Sequence, residues 1–292
     1  MPDYSGDQVV EIIAGFLKSS ERILIGGGAG LSASSGIDYT DSIAFSRLFP
    51  KWVEKGYRMQ YEFIGFEDWT EGERWAYWAT HVNHVFYEFP PSDIYRKLYE
   101  IVKEKDFYVI TSNADGLFIK SGFGPERVFQ AQGNYDRLIC MKPCGPETWH
   151  AKPFIDKVIA NIDPETFSVA DQTAIPACPN CGGPMTVAFR RREDYENWVQ
   201  NYENWFRNIF DKKLLVMEFG VGFNTPGVIR RPFEYLVYSH DNVLFVRVNK
   251  SYKNHENTAH PQIPQQIKDK SISVTGDAAE FIEKLHRQLN DK

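Results

Sequence analysis

The sequence predicts an α/β fold built on a parallel sheet, and three observations carry the prediction. Short, continuous apolar runs recur with helical or loop stretches between them, as suits strands buried on both faces. One such run, Ile23-Leu24-Ile25, opens directly into the glycine-rich turn GGGAGLSAS at 26–34. Cysteines fall in two short-spaced pairs, within a proline- and glycine-rich stretch at 138–190. Together these describe a Rossmann-like parallel-sheet domain carrying a small zinc-binding module and a helical insert.

At 292 residues and 42% apolar content, the chain can bury a full core. A net charge of -6 and a pI near 5.7 argue against a nucleic-acid partner, which needs a basic face. No apolar run approaches the roughly 18 residues of a membrane span, so no membrane association is expected. The polar, acidic start does not read as a signal or transit peptide, so neither is expected. A cytoplasmic protein is expected, whose four cysteines are metal ligands or free thiols rather than disulfides.

Asp7 is placed to cap a helix whose apolar positions Val9, Val10, Ile12, Ile13, Phe16 and Leu17 follow helical spacing. Arg22–Ile25 reads as the first strand, and Ser32 onward as the next helix. Residues 45–90 hold Trp52, Trp69, Trp75, Trp78 and Phe86 without strand alternation, and read as a helical insert. Further strands are expected at Phe107–Thr111, Arg127–Gln130, Leu214–Phe219, Val243–Val248 and Ser271–Val274. Trp198, Tyr202, Trp205 and Phe206 recur at helical spacing, which signals core or an interface. The stretch Asp277–Leu289 has Ala278, Phe281, Ile282 and Leu285 on one face and closes the fold as a helix. The Rossmann-like domain is thus expected over 1–137 and 193–292, with the insert at about 45–90, and the zinc module over 138–192.

Within the turn, Gly28-Ala29-Gly30-Leu31-Ser32-Ala33 satisfies G-x-G-x-x-A between a strand and a helix. Glycine permits the turn and lets a pyrophosphate approach the backbone, while the helix N-terminus supplies N–H donors. A dehydrogenase would add a second strand ending in an acidic residue roughly 20 positions on. Here Asp38-Tyr39-Thr40-Asp41 and the aromatic block occupy that region instead. The turn therefore predicts nucleotide binding without the usual hydride-transfer layout. The pairs Cys140-Met-Lys-Pro-Cys144 and Cys178-Pro-Asn-Cys181 can each present two thiolates to one tetrahedral ion, with no open position. That is a structural zinc site. His81-Val-Asn-His84 reads as a packed and a surface histidine among aromatics rather than a ligand pair, and Arg190, Arg191 and Arg192 as a solvated charge cluster.

The residues after the turn carry a family resemblance. Gly28-Ala29-Gly30-Leu31-Ser32-Ala33-Ser34-Ser35-Gly36-Ile37 resembles the sirtuin motif G-A-G-x-S-x-x-S-G-I. Thr111-Ser112-Asn113-Ala114-Asp115-Gly116-Leu117 resembles the sirtuin T-Q-N-I-D-G-L. The cysteine pairs, Gly220-Val221-Gly222 where sirtuins carry G-T-S, Asn249, and Gly276-Asp277 follow in the same order. Sirtuins bind NAD between a large Rossmann-like domain and a small zinc-binding one. The resemblance implies that Gly28, Ala29, Gly30 and Ser32 line the pyrophosphate site. It sets Asp38, with Ile37 and Tyr39 beside it, at the nicotinamide, and Asn113 and Asp115 at its ribose. Gly220, Gly222, Asn249, Gly276 and Asp277 correspond to the loops that complete the cofactor site.

The chain also departs from the deacylase pattern. Where deacylases place histidine in H-G, Phe129-Gln130-Ala131-Gln132-Gly133 has Gln132. An amide does not accept a proton near neutral pH, so it cannot serve as the base that deacylation needs. The segment I-P-D-F-R reads Ile37-Asp38-Tyr39-Thr40, lacking the proline and the arginine. The stretch 182–192, GGPMTVAFRRR, is shorter than the strand that clamps an acyl-lysine peptide. This combination resembles a branch of microbial sirtuins that act as protein ADP-ribosyltransferases, where a lipoyl-carrier protein of the glycine-cleavage H type is the acceptor. Asn113, Asp115 and Gln132 are the catalytic residues this implies, NAD the co-substrate, and a protein the acceptor. A lysine deacylase, an NAD hydrolase and a catalytically silent NAD-sensing module remain alternatives. The aromatic block occupies the place where sirtuins carry a flexible cofactor-binding loop.

Overall fold

The computed structural model describes residues 6–142, 144–187, 192–207, 209, 212–251 and 260–290. They form two compact units, one of residues 1–36, 91–132 and 193–292, the other of 37–90 and 133–192. The aromatic segment thus falls in one unit with the cysteine-bearing segment, a grouping that sequence order does not suggest.

The first unit is built on six parallel strands. Their order across the sheet is Ser271–Thr275, Val243–Asn249, Leu214–Phe219, Arg22–Gly27, Asp106–Thr111 and Val128–Gln130. Each expected strand is present, within a few residues of its predicted ends. Their apolar runs are continuous because helices cover both faces. On one face Leu24, Tyr108, Val216 and Phe245 share a cluster with Trp205 from helix Arg192–Phe206 and Phe233 from helix Arg230–Ser239. Helix Ala278–Asn290 buries Ala278, Phe281, Ile282 and Leu285, and packs on helices Gly6–Ser19 and Asp93–Val102. The chain leaves Arg22–Gly27 in one direction and returns on its other side at Leu214–Phe219. That reversal makes a switch point, and open α/β sheets bind ligands beyond the carboxyl ends of such strands.

Two local expectations are corrected. Helix Ala29–Ser34 starts three residues before Ser32, directly after Gly28. Glycine at the N-cap lets the chain turn out of the strand at once, which leaves Ser32 inside the helix and buried. Asp7 lies in the first turn of helix Gly6–Ser19 rather than before it, where its charge still favours the N-terminal end of the helix dipole.

The second unit holds the aromatic insert as helices Ser42–Leu48, Pro50–Glu54 and Glu71–Val82, with a wider helical turn at Asn83–Glu88. Thr70 and Glu73 cap Glu71–Val82 reciprocally. Phe45, Phe49, Trp52, Phe63 and Tyr77 form its buried cluster. A three-stranded antiparallel sheet, ordered Thr148–His150, Arg137–Cys140, Met185–Val187, carries the cysteine segment. No helix among the described residues is long and apolar enough to cross a membrane. Arg190, Arg191 and the side chain of Arg192 lie outside the described residues.

Candidate nucleotide and zinc sites

The glycine turn sits at the switch point. Gly28 N–H donates to the carbonyl of Phe219 at 3.0 Å, and Gly30 N–H to that of Gly220 at 2.9 Å. A Cβ on Gly28 would lie 2.6 Å from the Gly220 oxygen, and one on Gly30 would lie 2.7 Å from the Gly220 Cα. Gly220 has φ +61, and a Cβ there would meet the Leu31 nitrogen at 2.3 Å. The glycines are thus required by an opposing loop of the same unit, before any ligand is considered. In sequence, the motif's glycines and Gly220 read as separate features.

Asn113 and Asp115 follow the strand that ends at Thr111, on the neighbouring side. Asn113 is buried; its Nδ2 donates to the carbonyl of Gly28 at 2.9 Å, and its N–H to Thr111 Oγ1 at 3.0 Å. Asp115 accepts from Ser32 Oγ at 2.5 Å and from the Leu117 N–H at 2.8 Å. Gly116, at φ +72, makes the left-handed step between them. Burial pushes the Asp115 carboxyl up, against the lowering effect of those two hydrogen bonds and of Lys120. Tyr95 lies 3.3 Å from Ser32 Oγ; burial, then the nearby Asp115, raises its hydroxyl far above the usual range. Ser32 therefore links the turn to Asp115. Gln130, at the end of strand Val128–Gln130, lies close to Thr111, Asn113 and Asp115, and its buried Oε1 has no hydrogen-bond partner. Gln132 stands two residues on, half-buried in a turn.

The remaining residues of this unit act on the loops. Asn249 Nδ2 donates to the carbonyl of Val221 at 2.8 Å. Asp277 accepts from Ser34 Oγ at 3.1 Å and from the Ala279 N–H at 2.8 Å, and pairs with Lys250 at 3.0 Å. Burial opposes its ionisation, but these partners outweigh it and hold the carboxyl below its usual range. Gly276 donates its N–H to the carbonyl of Asn249, and a Cβ on Gly222 would touch the His260 ring at 3.2 Å.

An ion network that local sequence pattern does not reveal lies beneath these loops. Glu218 and Arg247 face each other on adjacent strands, both fully buried, with paired contacts of 2.6 and 3.0 Å. Arg247 also donates to the carbonyl of Gln262, and Arg230 to those of Val221, His260 and Gln262. Glu234 completes the charge balance at 2.9 Å from Arg247. The signal was present as a lone acid in LLVMEF and a lone base in VLFVRVN.

Ile37, Asp38 and Tyr39 fall in the second unit. Ile37 is buried, whereas the Asp38 carboxylate is exposed and accepts from Thr40 N–H and Oγ1 at 2.8 and 2.7 Å. The Tyr39 hydroxyl meets His81 Nε2 and the Tyr135 hydroxyl. His81 is buried, as read from the sequence, whereas His84 is half-buried rather than at the surface.

The four cysteine sulfurs lie within 4.8 Å of one another. Cys140 and Cys181 are 3.6 Å apart, as are Cys144 and Cys178. Zinc–thiolate bonds of about 2.3 Å in a tetrahedron require sulfurs about 3.8 Å apart, so the set fits a closed structural zinc shell. The turn at Cys178 is set by its N–H donating to the carbonyl of Gly183 and by Gly182 at φ +65. No other such group of ligands occurs among the described residues.

No family model matches the chain. A probable bifunctional ADP-ribose hydrolase/ADP-ribosyltransferase of Fusarium oxysporum f. sp. cubense is 33% identical over 91% of this chain and 46% of its own length. The chain thus spans about half of that relative. A protein ADP-ribosyltransferase of Staphylococcus aureus is 28% identical over 93% of this chain and 85% of its own. The solved structure of a Sir2 homolog–NAD complex matches with a TM-score of 0.56 at 15% identity, over 96% of this chain and 94% of that one. With the motifs in order on a fold shared with Sir2 structures, the chain resembles the sirtuin family and, within it, the protein ADP-ribosyltransferase branch.

Proposed function

We propose that the chain is an NAD-dependent protein ADP-ribosyltransferase. The observation that carries this reading is Gln132 at the position of the deacylase histidine, in a chain that keeps Asn113 and Asp115. Breaking the nicotinamide–ribose bond sends the bonding pair out with nicotinamide and leaves cationic character on the ribose carbon. We assign Asn113 and Asp115 to that ribose, positioned by Gly28, Ser32 and the Leu117 N–H. Gln132 orients the ribose through a hydrogen bond but takes up no proton. The acceptor side chain donates its lone pair to the ribose carbon and releases its proton to water. Acyl transfer would need a base that Gln132 does not supply. The turn at Gly28–Ser32, with Gly220, Gly222, Asn249, Gly276 and Asp277, would hold the rest of the dinucleotide. Zinc on Cys140, Cys144, Cys178 and Cys181 would be structural, with no part in the reaction.

The acceptor we infer is a protein, and the resemblance makes a lipoyl-carrier protein of the glycine-cleavage H type the first to try. The test incubates NAD labelled in the adenylate with that protein, lipoylated and unmodified, and follows label and nicotinamide together. Label on the acceptor that disappears with Asn113→Ala supports transfer. Acetyl-ADP-ribose from an acetylated peptide would make the chain a deacylase instead. ADP-ribose formed at the same rate without any acceptor would make it a hydrolase, and no nicotinamide release at all a sensor.

A further inference from the structure

The loop that follows strand Leu214–Phe219 is held at two successive carbonyls by different partners. The Gly220 carbonyl accepts from the Gly30 N–H of the glycine turn at 2.9 Å. The Val221 carbonyl accepts from Arg230 Nη1 at 3.3 Å and from Asn249 Nδ2 at 2.8 Å. The same guanidinium reaches a second segment, where Nη1 donates to the His260 carbonyl at 3.0 Å and Nη2 to that of Gln262 at 3.2 Å. Its central carbon stands 3.9 Å from the centre of the Phe223 ring, which meets the His260 ring edge-on at 5.4 Å. One planar fork thus ties residues 221–223 to residues 260–262.

Arg230 is buried, with 3% of its surface exposed. Burial, then the neighbouring Arg247, lowers its pKa to about 10, so it stays charged at neutral pH. Arg247 takes both oxygens of Glu218 and approaches Glu234 at 2.9 Å. Arg230 stands farther off, 4.0 Å from Glu218 and 3.5 Å from Glu234. Its closer contacts are therefore carbonyls rather than carboxylates. Taking a guanidinium out of water is costly, and an apolar side chain would fill the space with less penalty. Such a side chain could not fix where three carbonyls stand.

We propose that Arg230 is a positioning residue for the nucleotide, holding loop 220–223 and segment 260–262 in place before the ligand arrives. Loop 220–223 leaves the carboxyl end of a strand at the switch point and lies against the glycine turn, all within the first unit. Nucleotide phosphates bind at such a crevice. A loop fixed beforehand spares binding the entropy of ordering it. That the nucleotide is NAD rests on the function proposed above.

The experiment compares wild type, Arg230→Lys, Arg230→Met and Arg231→Ala by NAD calorimetry and by initial rates of nicotinamide release, at a temperature where each is folded. Lysine keeps the charge but cannot span three carbonyls, so Kd and KM for NAD should rise about tenfold. Because bound NAD orders the loop again, kcat should stay within about threefold. Arg230→Met loses every donor and should raise Kd and KM at least as far. Arg231→Ala removes an exposed charge from the same helix and should leave both constants unchanged. A folded Arg230→Lys that melts earlier yet keeps wild-type Kd and KM would reduce Arg230 to a packing role and overturn the proposal. Should neither Arg230 variant fold, hydrogen exchange at the Gly30 and Gly220 amides of free wild type decides. Exchange slowed about a hundredfold or more relative to an unstructured chain supports a preset loop, and faster exchange overturns it. A wild-type protein that neither binds NAD nor releases nicotinamide overturns the functional reading and this proposal with it. An active wild type with indifferent Arg230 variants overturns the proposal alone.

Discussion

Gly30 and Gly220 meet backbone to backbone: the Gly30 N–H donates to the Gly220 carbonyl at 2.9 Å, and neither position has room for a Cβ. A Cβ on Gly220 would stand 2.4 Å from the Gly30 carbonyl carbon, at a φ of +61 that side chains rarely adopt. Steric overlap with backbone cannot be relieved by a rotamer change. Gly220→Ala should therefore cost about 2–4 kcal/mol, combining left-handed strain with separation of the two loops. NAD affinity should fall in parallel, because both loops border the switch point. Gly227→Ala is the control, since nothing lies within 4 Å of its Cβ. It should change stability by less than about 1 kcal/mol. Denaturant unfolding and NAD calorimetry on both variants check this, and equal effects would refute the steric argument.

Much of the first unit is legible from local pattern because its strands are buried on both faces. Leu214–Phe219 and Val243–Val248 announce themselves as continuous apolar runs whatever they pair with. Their single charges do not announce a partner. Glu218 and Arg247 meet only in the parallel register that sets them side by side, and register is a tertiary fact. The glycine motif is likewise readable as a turn, but its close neighbour Gly220 lies 190 residues further along the chain than Gly30. His81 shows the same limit: His84 is its visible neighbour on the helix, while Tyr39 and Tyr135 lie 42 and 54 residues away. Local spacing suggested asking about a metal; the fold answers with hydroxyls.

The cysteine quartet predicts a metal-dependent second unit. Four thiolates held within 4.8 Å repel one another without a cation between them, and the short strands at Arg137–Cys140 and Met185–Val187 add little stability alone. Purified protein should contain about one zinc per chain. Cys178→Ser should lose it and unfold at a lower temperature, as should wild type dialysed against a strong chelator. Elemental analysis with thermal denaturation tests both. Full metal content and an unchanged transition in Cys178→Ser would remove the zinc assignment.

Neutral burial of His81 makes stability depend on acid in a definite direction. Its folded value is lowered from 6.5 to about 3, so between those limits the unfolded chain binds a proton that the folded chain refuses. The contribution of the neutral ring is thus fully present above about pH 6.5 and is lost as pH falls toward about 3, at up to about 1.4 kcal/mol per pH unit. Carboxylates add their own acid dependence, so the wild-type slope by itself proves nothing. The informative quantity is the stability difference between wild type and His81→Phe, which holds every other titrating group in common. Phenylalanine takes no proton in either state, so that difference should shift steadily in favour of the variant as pH is lowered from about 7 to about 4.5. Urea unfolding across that range measures it. A difference independent of pH would mean that His81 protonates as easily inside the fold as outside it. The ring would then be no fixed acceptor for Tyr39 and Tyr135.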